Sequence, residues 1–137
     1  MLEFTIPINP VTKKNSQDIV YVPCKKKSYI YVLRDGKFIP VTPVITQGKT
    51  YKKYEKECKP YIPKLEEPLN GPLEVRYLFY RKDNRACDLT NLEEALDDIL
   101  VKYGVIADDN YKLLVSHDGS RVFVDKENPR TEVRIGG

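Results

Sequence analysis

The fold is decided by the stretch Arg85-Ala86-Cys87-Asp88-Leu89-Thr90-Asn91-Leu92 and by the doublet Asp108-Asp109 that follows it. Between them, apolar residues recur at helical spacing and predict an amphipathic helix over 89–103, ended by Gly104. The helix has carboxylates at its start and just beyond its end, and a helix between two acidic sites can fold them back toward each other. Two carboxylates brought together suit a hard divalent cation such as Mg²⁺, which takes oxygen ligands and keeps positions open for water and phosphate.

The charges around this segment indicate a nucleic-acid partner. The 137-residue chain has a formal net charge of +3, and its acids concentrate between Asp88 and Asp109. Basic residues cluster at Lys13-Lys14, Lys25-Lys26-Lys27, Lys52-Lys53 and Arg81-Lys82 with Arg85. Such clusters are usually solvated surface, and they indicate a phosphate-backbone footprint only beside a phosphate-handling site. An acidic pocket in a basic protein is what a metal-dependent enzyme acting on nucleic acid requires.

Several other classes of protein are excluded by the sequence. No apolar run is long enough to cross a bilayer, and the N-terminus lacks the pattern of a secretory signal. Cys24, Cys58 and Cys87 are odd in number and form no Cys-x-x-Cys pair, which predicts reduced thiols in a cytoplasm. There is no Gly-rich phosphate loop, Ser-His-Asp signature or Cys/His metal grouping.

The rest of the chain predicts one α+β domain over residues 1–137, with a mainly antiparallel sheet and two main helices. Predicted strands cover 2–8, 19–22, 29–33, 37–41, 73–80, 113–116, 121–124 and 131–135, and the first helix covers 49–61. Asp35-Gly36 is a two-residue hairpin signal, and we expect Asp118-Gly119 to join the strands 113–116 and 121–124 as a second hairpin.

The acidic segment resembles the RusA family of Holliday junction resolvases. Those proteins carry Asp-Leu-Asp-Asn-Leu at the start of a helix and an Asp-Asp pair after the helix ends. Here Asp88-Leu89-Thr90-Asn91-Leu92 opens the helix, and Asp109 follows Asp88 by 21 residues (109 − 88), the family's spacing. The strand ending at Pro10 and the following Lys13-Lys14-Asn15 are also similar to the family's opening strand and basic loop.

The resemblance implies a function and a site. Family members are small homodimeric endonucleases, often phage-encoded, that use Mg²⁺ to cut four-way DNA junctions symmetrically; Mn²⁺ is an alternative cofactor. For this chain it implies a cytoplasmic enzyme, bacterial or phage-encoded, whose partner is branched DNA and not a membrane. Asp88 and Asp109 fall on two of three essential carboxylates, and Asn91 on the Asn of the motif. The surrounding basic segments predict DNA contacts by Lys13, Lys14, Asn15, Arg81, Lys82 and Arg85.

Two positions depart from the family pattern. Thr90 stands where the middle acid is expected, and Glu94 stands where a lysine is expected. Residue 94 lies one turn after 90, with side chains about 5–6 Å apart at Cβ, and helical side chains lean toward the N-terminus. We therefore hypothesise that Glu94 replaces the missing acid as a catalytic and metal-binding carboxylate. The alternative is a solvent-facing Glu94 beside Glu93.

Structural interpretations remain open at each of these residues. Asp88 fits a helix N-cap, with Thr90-x-x-Glu93 as a capping box, and Asp108-Asp109-Asn110 fits an ordinary turn. The acids Glu93, Glu94, Asp97 and Asp98 fit a solvated helix face. His117, the lone histidine, is predicted to be structural or at the surface. Tyr21, Tyr29 and Tyr31, near Lys25-Lys26-Lys27, either stack on unpaired bases or pack in the core. The rival function is a non-catalytic DNA-binding protein that retains the fold.

Overall fold

The computed structural model describes residues 1–13, 17–25 and 30–137. Its strands are β1 (Leu2–Ile6), β2 (Gln17–Pro23), β3 (Ile30–Arg34), β4 (Lys37–Gln47), β5 (Leu73–Arg81), β6 (Leu114–Ser116), β7 (Arg121–Val124) and β8 (Arg130–Gly136). The helices are α1 (Lys49–Cys58), which continues into a short 3₁₀ turn (Lys59–Tyr61), and α2 (Leu89–Lys102). The predicted α+β class, with a mainly antiparallel sheet and two main helices, is confirmed.

The main sheet has β8 and β5 at its centre. β8 pairs antiparallel with β1 on one side and with β5 on the other, so that Val133 lies opposite both Phe4 and Tyr77. β8 therefore lies between β1 and β5, the strand that precedes the acidic helix. Beyond β5, the edge of the sheet is formed by β6 and β7, which both run parallel to β5.

The second predicted hairpin is wrong. Within the described part of the chain, β6 pairs with the start of β5 and β7 with its end, and they form no ladder with each other. The turn around Asp118-Gly119, with Gly119 at φ +87°, interrupts one edge strand and does not reverse the chain. The gap it leaves in the ladder is filled because the backbone N–H of Tyr77 donates to Ser120 Oγ at 3.0 Å. β5 is long enough to pair with both halves of this edge strand, so the chain keeps its direction.

The core lies between one face of this sheet and the two helices. Alternate residues of β5 are buried, as expected for a strand with one face on the core: Leu73, Val75, Tyr77 and Phe79. They belong to one buried cluster with the apolar stripe of α2, which contains Leu92, Ala95, Leu96, Ile99 and Leu100. Tyr51 of α1 joins the two helices, since its hydroxyl donates to the carbonyl of Ala95 at 3.3 Å. This packing fixes which side of α2 faces the sheet.

The second sheet is a three-stranded antiparallel arm in the order β2-β4-β3. β4 is longer than predicted and passes through Pro40 and Pro43. Tyr21 and Tyr31 are 47% and 49% exposed, so neither is a core residue; Tyr29 lies outside the described residues. Among the helices of the described residues, none is long and apolar enough to cross a membrane.

Candidate functional site

The start of α2 presents the carboxylate of Asp88 at the surface. Asp88 occupies the N-cap position, and its carbonyl accepts the first helical hydrogen bond from Leu92 N at 3.2 Å. Its side chain does not cap the helix. Instead, Asp88 Oδ2 accepts a hydrogen bond from Asn91 Nδ2 at 3.2 Å. The two motif residues are therefore in contact, and the capping interpretation does not explain the Asp88 carboxylate.

The two acids of the later doublet have different roles. Asp108 accepts hydrogen bonds from Asn110 Nδ2 and from the backbone N–H of Asp109, both at 2.8 Å. These bonds, that from Asn110 first, lower the pKa of the exposed Asp108. Asp108 therefore shapes the turn, as its structural interpretation proposed.

Asp109 lies in a more negative environment. Its pKa is raised, first by burial and then by the negative charge of Asp98. Asp98 follows Asn91 by seven residues, which is about two helical turns and returns to the same face of α2. The structure thus places Asp98, which was not among the predicted site residues, in the electrostatic surroundings of Asp109. The seven-residue spacing of Asn91 and Asp98, which places them on one helix face, was the signal available in the sequence.

Lys13 is in contact with this acidic region. Its ammonium lies 2.5 Å from Asp98 Oδ2 and 5.4 Å from the centre of the Tyr51 ring. The side chains of Lys13 and Asp98 are 30% and 39% exposed, so the pair lies at the edge of the site. Lys13, which is predicted to bind DNA, therefore lies beside the Asp98 carboxylate.

Two of the other predicted DNA-binding residues, Arg81 and Arg85, line a groove. Its volume is about 290 Å³, and its walls are Asn9, Pro10, Val11, Thr12, Thr50, Arg81, Arg85 and Ala86. Asn9 Oδ1 accepts the backbone N–H of Lys82 at 2.9 Å, which joins the N-terminal loop to the end of β5. Arg81 donates to the carbonyl of Arg85, while its Nε is buried with no partner among the described residues. Lys14 and Asn15 lie outside the described residues.

The opposite side of α2 carries a second polar cluster. Asp97 is 6% exposed and accepts a hydrogen bond from the Tyr77 hydroxyl at 2.6 Å. His117 Nε2 lies 2.8 Å from Asp97 Oδ2, and this hydrogen bond is the main cause of a raised His117 pKa. Glu93 is also near, since His117 lowers a Glu93 pKa that burial raises. The solvated-face interpretation is therefore wrong for Asp97, and His117 connects α2 to the sheet edge.

Among the described residues, no three Asp, Glu, His or Cys side chains are grouped closely enough to hold a metal ion. Asp88, Glu94 and Asp109 therefore make no three-carboxylate cage in this conformation, and Glu94 is exposed. Mg²⁺ often uses only one or two protein carboxylates, with water and substrate phosphate completing its shell. The oxygen donors present fit such a cation, and the metal assignment of Asp88, Asp109, Asn91 and Glu94 stays a prediction.

One family model matches most of the chain. The model described as endodeoxyribonuclease RusA matches residues 36–136. The match includes β5, α2 and the Asp108-Asp109 doublet, and it excludes β1, β2, β3 and Lys13. No curated protein matches the chain significantly.

Proposed function

Because this chain belongs to the RusA family of Holliday junction endodeoxyribonucleases, we propose that it is a Mg²⁺-dependent homodimer that resolves four-way junctions by paired phosphodiester hydrolysis. One observation carries the proposal. Within the matched segment, Asp88 and Asn91 are in contact at the start of α2, and farther along α2 lies Asp98, whose charge helps to raise the pKa of Asp109. The groove that Arg81 and Arg85 line also includes Ala86, which precedes Asp88 by two residues.

Asp88 and Asp109 would hold the Mg²⁺, or Mn²⁺ in its place, with Asn91 and Glu94 as further oxygen donors. When bound, the cation supplies an activated water and neutralises charge that develops on the scissile phosphate. The residues of the chain supply the geometry. Asn91 holds the Asp88 carboxylate at the mouth of α2, and the turn made by Asp108 orients the backbone that carries Asp109.

The groove suits a DNA backbone. Arg85 is exposed, and Arg81 has a buried Nε–H without a partner among the described residues. A phosphate oxygen that enters the groove would accept charge-assisted hydrogen bonds from the exposed Arg85 guanidinium. The segment 82–88 joins β5 to α2, so Arg81 and Arg85 precede Asp88 by seven and three residues.

A homodimer follows from the symmetry of the proposed substrate. A four-way junction has two-fold symmetry, and paired cuts need two active sites related by that symmetry. Each chain contributes one Asp88 and one Asp109, so two chains supply two equivalent sites. Sedimentation at twice the 15.9 kDa chain mass is the expected measurement.

The direct test is cleavage of a synthetic junction with each strand labelled in turn. We expect symmetric nicks in two opposing strands with Mg²⁺, none with EDTA, and little cleavage of a linear duplex of the same sequence. A protein that binds the junction but leaves it intact in both Mg²⁺ and Mn²⁺ would contradict the proposal.

That outcome would favour the second candidate, a DNA-binding protein that has kept the fold without the activity. Two observations support this alternative: Thr90 replaces an expected acid, and no three-carboxylate group exists among the described residues.

A further inference from the structure

Lys13 differs from the other lysines near the site because its ammonium is held in one place. It contacts Asp98 Oδ2 at 2.5 Å and lies over the ring of the buried Tyr51. Tyr51 is itself fixed to α2 through its hydrogen bond to Ala95. By comparison, Lys53 on the outer side of α1 is 78% exposed and lies 3.8 Å from Glu57. An exposed pair of that kind contributes little and leaves the side chain mobile.

The position of Lys13 places a positive charge where DNA would meet negative charge. Asp98, its partner, lies two helical turns after Asn91 on the same face of α2, and Asn91 donates to the Asp88 carboxylate. A phosphodiester that approaches these carboxylates is repelled unless a cation is nearby. An ammonium has three N–H donors, and the contact with Asp98 uses one, so the others can donate to a phosphate oxygen.

Lys13 also continues the groove. Residues 9–12, immediately before it, form one wall, and Arg81 and Arg85 line the same groove. A DNA backbone that follows this wall reaches Lys13 next. Lys13 lies outside the segment 36–136 that matches the family model.

We propose that Lys13 is a catalytic residue that contacts the scissile phosphate, and that Asp98 positions its ammonium beside the acidic face of α2 for that contact. The proposal rests on the proposed nuclease function. Lys13 donates to a non-bridging oxygen of the phosphate and stabilises the negative charge that increases there as the phosphodiester bond is broken. In the free protein, Asp98 keeps the lysine from extending into solvent.

The test compares Lys13→Gln, Lys13→Arg and the control Lys53→Gln. Single-turnover cleavage is measured with protein in saturating excess over a labelled junction, and junction binding is measured in EDTA at several salt concentrations. We expect Lys13→Gln to cut about 100-fold more slowly at saturation, with a Kd changed by no more than about threefold. Lys13→Arg should fall between Lys13→Gln and the parental protein, and Lys53→Gln should match the parental protein.

Parental-rate cleavage by Lys13→Gln at saturation would overturn the proposal, and so would a defect that disappears at saturation, because that is a binding contact alone. If Lys13→Gln does not fold, Lys13→Arg decides: the folded variant must be slower than the parental protein while binding junctions equally well. Parental-rate cleavage by that variant would overturn the proposal. If the parental protein cuts no junction, the nuclease function fails and this role fails with it.

Discussion

The two sides of α2 carry neighbouring acids in opposite surroundings. Asp97 is buried against the sheet and bonded to Tyr77 and His117. Asp98 lies at the edge of the surface, paired with Lys13 and close enough to affect Asp109. The comparison shows that a carboxylate's role follows from the side of the helix it occupies, because the sheet covers one side and leaves the other open to substrate.

The largest expected effect is a loss of cleavage when one of the proposed metal-binding carboxylates is removed. Asp88→Asn and Asp109→Asn should each lower the junction cleavage rate by roughly a thousandfold or more, since a lost oxygen ligand removes charge stabilisation in the transition state. Junction binding should be unchanged or tighter because less negative charge faces the DNA. Cleavage and binding assays on folded variants check both statements.

Asp108→Asn is the matched control, because Asn can also make the turn that Asp108 makes. It should cut at close to the parental rate. Near-normal cleavage by Asp88→Asn or Asp109→Asn would remove that residue from the set of essential ligands.

The next prediction concerns the departures at Thr90 and Glu94. If Glu94 replaces the missing acid, Glu94→Gln should be inactive, with a loss of about a hundredfold or more. The double variant Thr90→Asp, Glu94→Gln should then recover part of the cleavage. Parental-rate cutting by Glu94→Gln would end the compensation hypothesis and leave a site with two acids.

Substitution on the side of α2 that packs against the sheet should lower the free energy of unfolding. Asp97→Ala leaves the Tyr77 hydroxyl and His117 without their shared partner, and should lower the free energy of unfolding by about 3 kcal/mol. Asp98→Ala should cost no more than about 1 kcal/mol, because its ion pair is partly exposed. Urea denaturation of both variants measures the contrast, and equal losses would refute it.

The smallest effect is a pH dependence from His117. Its pKa in the folded protein lies above the ordinary 6.5 because of the hydrogen bond to Asp97, so the folded state holds the proton more tightly than the unfolded chain. This stabilisation is fully present below pH 6.5 and is lost as the pH rises through the folded-state pKa. The free energy of unfolding should therefore fall across this window, and the fall should be absent in His117→Gln.

The regular elements were predictable because each has a clear period. The helix predicted over 89–103 is α2 (Leu89–Lys102), and the strand predicted over 73–80 is β5 (Leu73–Arg81). The sequence could not decide whether the turn at Asp118-Gly119 reverses the chain, because that depends on whether β5 extends beyond the turn and can pair with both halves.

The acidic site was predictable in part. Its motif and spacing identify Asp88, Asn91 and Asp109 as candidates. The division between Asp97 and Asp98 depends on which side of α2 faces β5, and the contact of Lys13 with Asp98 joins residues 85 positions apart. Local patterns carry no information about such long-range packing.

The interrupted edge strand also affects how the molecule meets other molecules. A long, straight sheet edge offers a row of unpaired backbone groups to which another chain can add a strand, which is a common start of aggregation. Here that edge is divided into three residues of β6 and four of β7. Neither half is long enough to pair effectively with a strand from another molecule. The turn between β6 and β7, next to the His117 that contacts Asp97, therefore also protects this edge of the sheet from aggregation.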